Sequence, residues 1–524
     1  MSIKYLSPLS LRAAWRSGQE VALFDLREEG PYSLAHPFWA VSLPLAQIEL
    51  RLRLLVPRLS TPIVVYDNGE GLTQRGVERI AALGYSDISI LEGGLAGYRA
   101  VGEVFRDVNV PSKAFGELVE AILHTPSGSA QDIKKLLDTE DNLVVLDGRR
   151  FEEYNVMSIP RGRSVPNGEL ALRVHDIAPD PQTTIVINCA GRTRSIIGAQ
   201  TLVNLGLPNK ILALRNGTIG WTLAGQRLEA GKTEQFSQTS AQGHGKALSA
   251  IQSWAEKVGG KSINLETLSA WRAEAELQTV YLLDVRTPAE YAAGHPSGFL
   301  SAPGGQLVQA TDEWVAVRGS RLVLFDDDGV RAASTAAWLV QMGWNAVALD
   351  VGVLAKEEIG LPLLPAPKLP AVAMITPFVL HEKADDYTIV DLGPSPSYQA
   401  LHLPSAWFLA GSRLDDLVHL PGGDGPLVIT SRDGRLAAYH AADIQKATHR
   451  PVVCLQGGNQ EWVDAGLPTG EQKLWASAPD DVYKRPYEGT DNATAAMQAY
   501  IDWELQLVAQ LANDGVSNFH VVGA

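Results

Sequence analysis

Cys189 is the residue in this chain best placed to do chemistry. It follows the apolar, β-branched run I-V-I-N and opens the string C-A-G-R-T-R-S at residues 189–195. A segment of helical periodicity, S-I-I-G-A-Q-T-L-V-N-L-G, comes next, with Gly206 placed to stop it. The pattern predicts a strand, a loop of five residues after Cys189, and a helix starting at Ser195. A thiol at that position faces the N–H groups of a tight loop and the positive end of a helix, and both favour the thiolate. Cysteines in such settings have their pKa lowered from ~8.5 to roughly 3.5–7.5. Arg192 and Arg194 place two positive charges in the same loop, where they would stabilise a thiolate and attract an oxyanion. The candidate site is therefore Cys189 with a loop of Ala190, Gly191, Arg192, Thr193, Arg194 and Ser195.

The elements that must position this loop recur along the chain, and internal repeats are the first thing such recurrence signals. Four apolar runs end in aspartate, at Asp25, Asp147, Asp284 and Asp391. The first three continue Asp-x-Arg, giving Arg27, Arg149 and Arg286, and the fourth has Gly393 instead. A proline turn follows each, at His36-Pro37, Ile159-Pro160, His295-Pro296 and His402-Leu403-Pro404. A second buried-strand run then appears at 63–66, 185–188, 322–325 and 427–430, leading into a polar loop and a helical pattern. Three repeats close with a strand, a glycine turn and an aromatic residue, whereas the third keeps only L-D-V-G at 349–352 and reads as truncated. Short apolar strands alternating with helices predict α/β units, each a small parallel sheet with helices on both faces. The expected bounds are 1–105, 125–230, 260–355 and 372–470, with a tail at 471–524. Residues 231–248 and 360–377 read as linkers, and 104–125 is indistinct. In the tail a helix near 491–512 would put Met497, Ile501, Leu505 and Val508 on one face, docked on the rest of the chain.

The other three loops lack the nucleophile. Aligned on the strand ends, Asp67, Asp326 and Ser431 stand where Cys189 stands. Asp147 and Arg149 recur in the repeats without cysteine, which makes them chiefly architectural, supporting the pocket from the strand end. Arg161, Arg163, Asn167 and Glu169 follow the second proline turn and are candidates for the pocket mouth or for solvated surface. Cys454, within P-V-V-C-L, reads as a buried strand residue. No two histidines or cysteines fall at metal-ligand spacing, so neither a metal nor another cofactor is expected.

The string C-A-G-R-T-R-S, together with the L-D-G-R and I-P-R-G-R-S-V-P-N-G-E-L segments before it, resembles the rhodanese superfamily. All four repeats look like rhodanese modules, so the resemblance spans about residues 5–470. It implies that Cys189 takes a sulfane sulfur from thiosulfate or a similar donor and holds it as a persulfide. The sulfur then passes to cyanide or to an acceptor thiol such as thioredoxin or a low-molecular-weight thiol. Arg192 and Arg194 are expected to stabilise the departing sulfite, and the charged loop to favour thiosulfate over 3-mercaptopyruvate. Related phosphatases and arsenate reductases use C-x5-R, whereas the spacings here are C-x2-R and C-x4-R, a shorter loop that suits a single sulfur atom. A persulfide relay that accepts sulfur from a partner is the other rival, given three repeats without a nucleophile.

Bulk properties narrow the setting. The chain has 524 residues and a formal net charge of −15, which opposes general nucleic-acid or anionic-membrane binding. No run reaches the roughly 18 apolar residues of a membrane span, and the N-terminus lacks the pattern of a signal peptide. Two cysteines in unlike contexts offer no disulfide framework. The expectation is a cytoplasmic monomer or homodimer.

Overall fold

The computed structural model describes residues 3–352, 354–361 and 367–523. Four parallel sheets follow one another along the chain, and all four have one strand order. Numbering the strands of each repeat by sequence, that order is 1-5-4-2-3. In the second repeat the strands are Ser127–Gly128, Leu143–Asp147, Gly162–Ser164, Thr184–Asn188 and Ile211–Leu214. The central pair, Leu143–Asp147 and Thr184–Asn188, is in register from Leu143 opposite Thr184 to Asp147 opposite Asn188. These runs are apolar throughout because helices cover both faces of a parallel sheet. Their carboxyl ends finish together, which is where such sheets place their ligands.

The four-repeat reading holds in the architecture, including the third repeat's truncation. Among the described residues, no helix lies between its last strand, Asn345–Leu349, and the strand Met374–Ile375. The other repeats close with helices Gly94–Arg99, Gly217–Leu223 and Gly458–Asp464. The fourth sheet extends past residue 470, taking a sixth strand, Leu474–Trp475, beside Trp407–Phe408.

Two expectations about connecting segments are corrected. Residues 231–248 are not all linker. Ser240 caps a helix, Ala241–Lys257, whose buried Ala247, Ile251 and Trp254 pack at the junction of repeats two and three. The indistinct stretch 104–125 holds a helix, Val110–Leu123, that packs along the helix Thr193–Asn204. Of the proline-rich segment 360–377, residues 362–366 lie outside the described residues.

The repeats associate in pairs. Repeats two and three share an ion pair, Arg331 Nη1 to Glu169 Oε1 at 2.9 Å, and a hydrogen bond from Trp338 Nε1 to Thr201 Oγ1 at 2.9 Å. Repeats one and four meet where the Ser412 N–H donates to Glu28 Oε1 at 3.0 Å and His440 Nε2 lies 3.1 Å from the Ala46 carbonyl. Repeat one also touches repeat three through a bridge between Val21 and Arg318. No helix among the described residues is long and apolar enough to cross a membrane.

The tail runs back from repeat four across repeats one, two and three. Its helix is two, Thr494–Glu504 and Leu507–Asp514. Met497 and Ile501 are buried as expected, but Leu505 is 55% exposed, because it falls at the break between the helices. Tyr500, Trp503, Glu504, Leu507 and Leu511 complete the docked face instead.

Candidate active site

The site is assembled on the strand Thr184–Asn188. Asn188 donates from Nδ2 to Asp147 Oδ2 at 2.8 Å, tying the ends of the two central strands. Asp147 in turn takes Arg149 Nε at 2.8 Å and Nη2 at 2.7 Å, and Arg149 Nη2 also reaches the Met157 carbonyl. Arg27 makes the same set with Asp25 and Ala35, and Arg286 makes it with Asp284 and Gly294. The Asp-x-Arg pair therefore staples the strand end to the proline turn eight residues on. In repeat two one atom is left over. Arg149 Nη1 is buried without a partner among the described residues.

Cys189 follows directly and is 1% exposed. Its Sγ accepts the Ser195 N–H at 3.2 Å and the Ser195 hydroxyl at 3.0 Å. The helix starts two residues earlier than expected, at Thr193. Among the described residues, the N–H groups of Ala190 through Arg194 make no hydrogen bond to a protein acceptor. Unclaimed N–H groups in a loop that leads into a helix N-terminus are of the kind that bind a negatively charged atom. The loop is pinned by the first turn of the helix Gly217–Leu223. Thr218 N–H takes the Cys189 carbonyl at 2.8 Å, and Ile219 N–H takes the Ala190 carbonyl at 3.0 Å. Gly217 has φ +54°, and a Cβ there would collide with the Cys189 carbonyl, so only glycine lets the turn approach this closely.

The two loop arginines are both held by carboxylates. Arg192 pairs with Glu117 through Nε at 2.7 Å and Nη2 at 2.8 Å, adds Glu120, and donates from Nη1 to Asn216 Oδ1 at 3.0 Å. Arg194 makes a bidentate pair with Glu153, at 2.8 and 2.9 Å. Burial would push Glu153 up, but Arg194 outweighs it and holds the carboxyl down at about 2. Both cations expected to serve the substrate are thus paired with carboxylates, while Arg194 still favours the Cys189 thiolate. The expectation of a lowered thiol pKa is corrected. Burial pushes Cys189 up, and Arg194, the Ser195 hydrogen bonds and Arg149 only partly offset it.

Arg161 is not at the pocket mouth. Its backbone has φ +63°, and its guanidinium caps carbonyls at the end of the helix Ala130–Thr139, including Leu137 at 3.2 Å and Glu140 at 2.8 Å. Arg163 is exposed. Asn167 supports the loop by donating to the Arg194 carbonyl at 2.8 Å, while Glu169 is spent on Arg173 and Arg331. Cys454 sits inside the strand Val452–Leu455, and burial pushes its thiol up to about 12.

The strand ends of the other repeats repeat the geometry with different atoms. In each, the residue in the Cys189 position accepts the N–H six residues on. Asp67 Oδ2 takes Thr73 at 3.3 Å, Asp326 Oδ2 takes Ala332 at 2.8 Å, and Ser431 Oγ takes Ala437 at 3.3 Å. A family model described as rhodanese-like domain matches residues 8–101, 129–224 and 265–355.

The chain belongs to the rhodanese family.

The fourth repeat lies outside those matches, yet its sheet has the rhodanese strand order seen in the other three. The crystal structure of thiosulfate sulfurtransferase from Pseudomonas aeruginosa superposes with a TM-score of 0.97 at 48% identity, covering 99% of this chain and all of that one. YrkF of Bacillus subtilis, which carries a provisional sulfur-carrier name, is 28% identical over 138 residues, 26% of this chain and 68% of its own. The HTH-type transcriptional regulator Rv0324 of Mycobacterium tuberculosis is 27% identical over 209 residues, 38% of this chain and 88% of its own.

Sequence reasoning missed the residues that hold the rhodanese loop from outside the repeat: Glu117, Glu120, Lys113 and the tail. Glu153 had a signal that went unread. It lies six residues after Asp147, as Glu290 lies six after Asp284, and each pairs with the arginine five residues after the loop's first position, Arg194 or Arg331.

Proposed function

We propose that this rhodanese is a sulfurtransferase that carries sulfane sulfur from thiosulfate to a small thiophilic acceptor on Cys189. The observation that carries the reading is the Cys189 loop itself. A thiol stands at a strand end before a row of unclaimed N–H groups, in a chain 48% identical over its length to a thiosulfate sulfurtransferase. The Cys189 thiol first yields its proton to solvent. The thiolate attacks the outer sulfur of thiosulfate, the bond between that sulfur and the sulfonate sulfur breaks, and its electron pair leaves with sulfite. The persulfide anion rests against the loop amides, which offer hydrogen bonds that strengthen as charge settles on the outer sulfur. Arg149 Nη1, a buried N–H without a partner among the described residues, is a donor left to meet the sulfonate, on a guanidinium whose other nitrogens hold Asp147. In the second half an acceptor, cyanide or a thiolate, attacks the outer sulfur, and the pair returns to Cys189.

The same geometry weighs against a phosphatase or arsenate reductase. Those reactions need an arginine free to clamp a tetrahedral oxyanion, and both loop arginines are paired with carboxylates. The test is intact mass after incubation with thiosulfate, comparing wild type with Cys189→Ser. Repeat four shows that the fold accepts serine at this position. A gain of one sulfur atom in wild type alone is expected. No gain in wild type sinks the thiosulfate reading.

A further inference from the structure

The C-terminal tail does more than dock. Tyr483 bonds Glu29 of repeat one and Asp107, the stretch from Pro486 to Glu504 lies against repeat two, and the far end is anchored in repeats one and three. Arg12 Nη1 binds the buried Asp514 at 2.5 Å, Trp39 Nε1 donates to the Val516 carbonyl at 2.9 Å, and His520 N–H donates to the Gln341 carbonyl at 2.9 Å. Between those points it covers the Cys189 loop. A Cβ at Gly191 would lie 3.2 Å from the Tyr500 ring and 3.4 Å from Glu504 Oε2, so the loop and the first tail helix touch with no side chain between them. Pro486, Tyr487, Gly489, Thr490, Asn492 and Met497 form the tail side of a cavity of about 80 Å³. Its other side holds Met157, Thr218 and Ile219, two of which bond the Cys189 and Ala190 carbonyls.

A latch holds the cover down. Lys113, 1% exposed on the helix Val110–Leu123, pairs with Asp107 at 2.6 Å. Its ammonium lies 5.5, 5.2 and 5.5 Å from the rings of Tyr487, Tyr500 and Trp503, all three supplied by the tail. A desolvated ammonium among three aromatic faces is a favourable cation–π arrangement. The same helix carries Glu117, which holds Arg192 of the loop. Glu504, 1% exposed, binds the Tyr500 hydroxyl through Oε1 at 2.7 Å, and its Oε2 has no partner among the described residues.

We infer that the tail segment 483–504 sets the size of the molecules that can exchange sulfur with Cys189. Seated against Gly191, with Cys189 only 1% exposed, it admits ions and thiols of a few heavy atoms and excludes peptide-sized and protein thiols. The inference rests on Cys189 being the sulfur carrier.

Its test begins with the unmodified full-length protein. N-ethylmaleimide and a maleimide carried on polyethylene glycol are compared for their rates at Cys189, each scaled to its rate with a free thiol. The small reagent should react much faster on that scale, and equal scaled rates would overturn the inference. Tyr500→Ala/Trp503→Ala then removes two walls of the Lys113 cage. Loosening the cover by the equivalent of 1.4 kcal/mol should speed the polymer-linked reagent, and persulfide discharge by glutathione, about tenfold. Discharge by cyanide should change far less. If cyanide and glutathione rates move together, the cover does not select by size. The maleimide comparison needs no sulfur transfer. Failure of thiosulfate loading with size selection intact would therefore sink the sulfur reading while leaving the cover in place.

Discussion

The loop after Thr184–Asn188 and the loop after Arg321–Phe325 share a frame and differ at its centre. Both begin at a strand end stapled by an Asp-x-Arg pair, and both feed a helix whose amide six residues on returns to the first loop residue. Both place an arginine five residues in and pair it with a glutamate from the short helix that follows the Asp-x-Arg pair, Arg194 with Glu153 and Arg331 with Glu290. One loop opens with a thiol and leaves its amides unclaimed. The other opens with Asp326, whose Oδ1 and Oδ2 take the N–H groups of Gly329 and Ala332 at 3.0 and 2.8 Å. The frame wants an acceptor at that point. A carboxyl fills the need permanently, whereas a thiol fills it weakly and keeps its capacity to gain a sulfur. The difference also reassigns Arg194. A residue kept in a loop that cannot form a persulfide is there first for the frame.

The largest effect should come from making one loop into the other. Cys189→Asp supplies the acceptor that repeat three uses, so the protein should remain folded, with a melting temperature within a few degrees of wild type. Sulfur transfer should fall by at least about 10³-fold, as when any enzyme loses its nucleophile. Thiocyanate formation from thiosulfate and cyanide, measured beside thermal unfolding, checks both. An unfolded variant would mean that the two loops are not interchangeable frames.

Next in size is Arg194→Met, which leaves Glu153 largely enclosed without its cation. Breaking such a pair from one side costs about 3 kcal/mol, and the double change Arg194→Met/Glu153→Leu should recover part of it. Glu153 is held near 2, below its unfolded value, so its share of stability is present above about pH 4 and is lost as pH falls through about 2. Urea midpoints for the single and double variants read the coupling. The double variant should still load sulfur. If its loading disappears while its stability returns, Arg194 serves the substrate after all.

Much of this comparison was legible in the chain. The runs ending at Asp25, Asp147, Asp284 and Asp391 repeat because strand ends need the same local sequence wherever the sheet recurs. That pattern exposed the fourth repeat, which the family model does not match. Cys189 was legible for the same reason, as a reactive residue at a fixed offset from a strand. What was not legible is tertiary. Glu117 lies 75 residues from the arginine it holds, and nothing near Arg192 announces it. The thiol's raised pKa comes from burial, which a local reading of helix end and loop charge omits. Leu505 was misplaced because a continuous 3.6-residue pattern hides a break between two helices.

A smaller effect is expected from Asp326→Asn. Burial and the neighbouring Asp328 push the Asp326 carboxyl up to about 7, despite its two N–H partners. A carboxyl raised on folding adds stability below its unfolded value of about 3.9 and loses that stability as pH rises through about 7. The asparagine variant should therefore match wild type near pH 4 and gain on it by pH 8, by something of the order of 2 kcal/mol. Thermal melts across that range test the sign. A variant that is worse at pH 8 than at pH 4 would show that the loop amides, not burial, govern the site.

The smallest expected effect separates the loops by what the same burial does to each. Buried Asp326 gains a proton and stays an acceptor. Buried Cys189 gains a proton and stops being a nucleophile, since only the thiolate attacks sulfur. With its pKa raised above the ordinary thiol value, Cys189 is largely protonated at neutral pH, and each unit of pH should raise the thiolate fraction about tenfold until the pKa is passed. Single-turnover loading by thiosulfate should accordingly climb with a slope near one on a logarithmic scale and still be climbing at pH 9. Alkylation by N-ethylmaleimide should follow the same line, because it needs the same ion and no donor chemistry. A plateau at or below pH 7 in both would mean that the helix end, the loop amides and Arg194 outweigh burial in the reacting protein. The loop would then react from a state in which the tail does not seal it. A plateau in loading alone, with alkylation still rising, would instead assign the limit to thiosulfate binding, and so to Arg149 Nη1 rather than to the thiol.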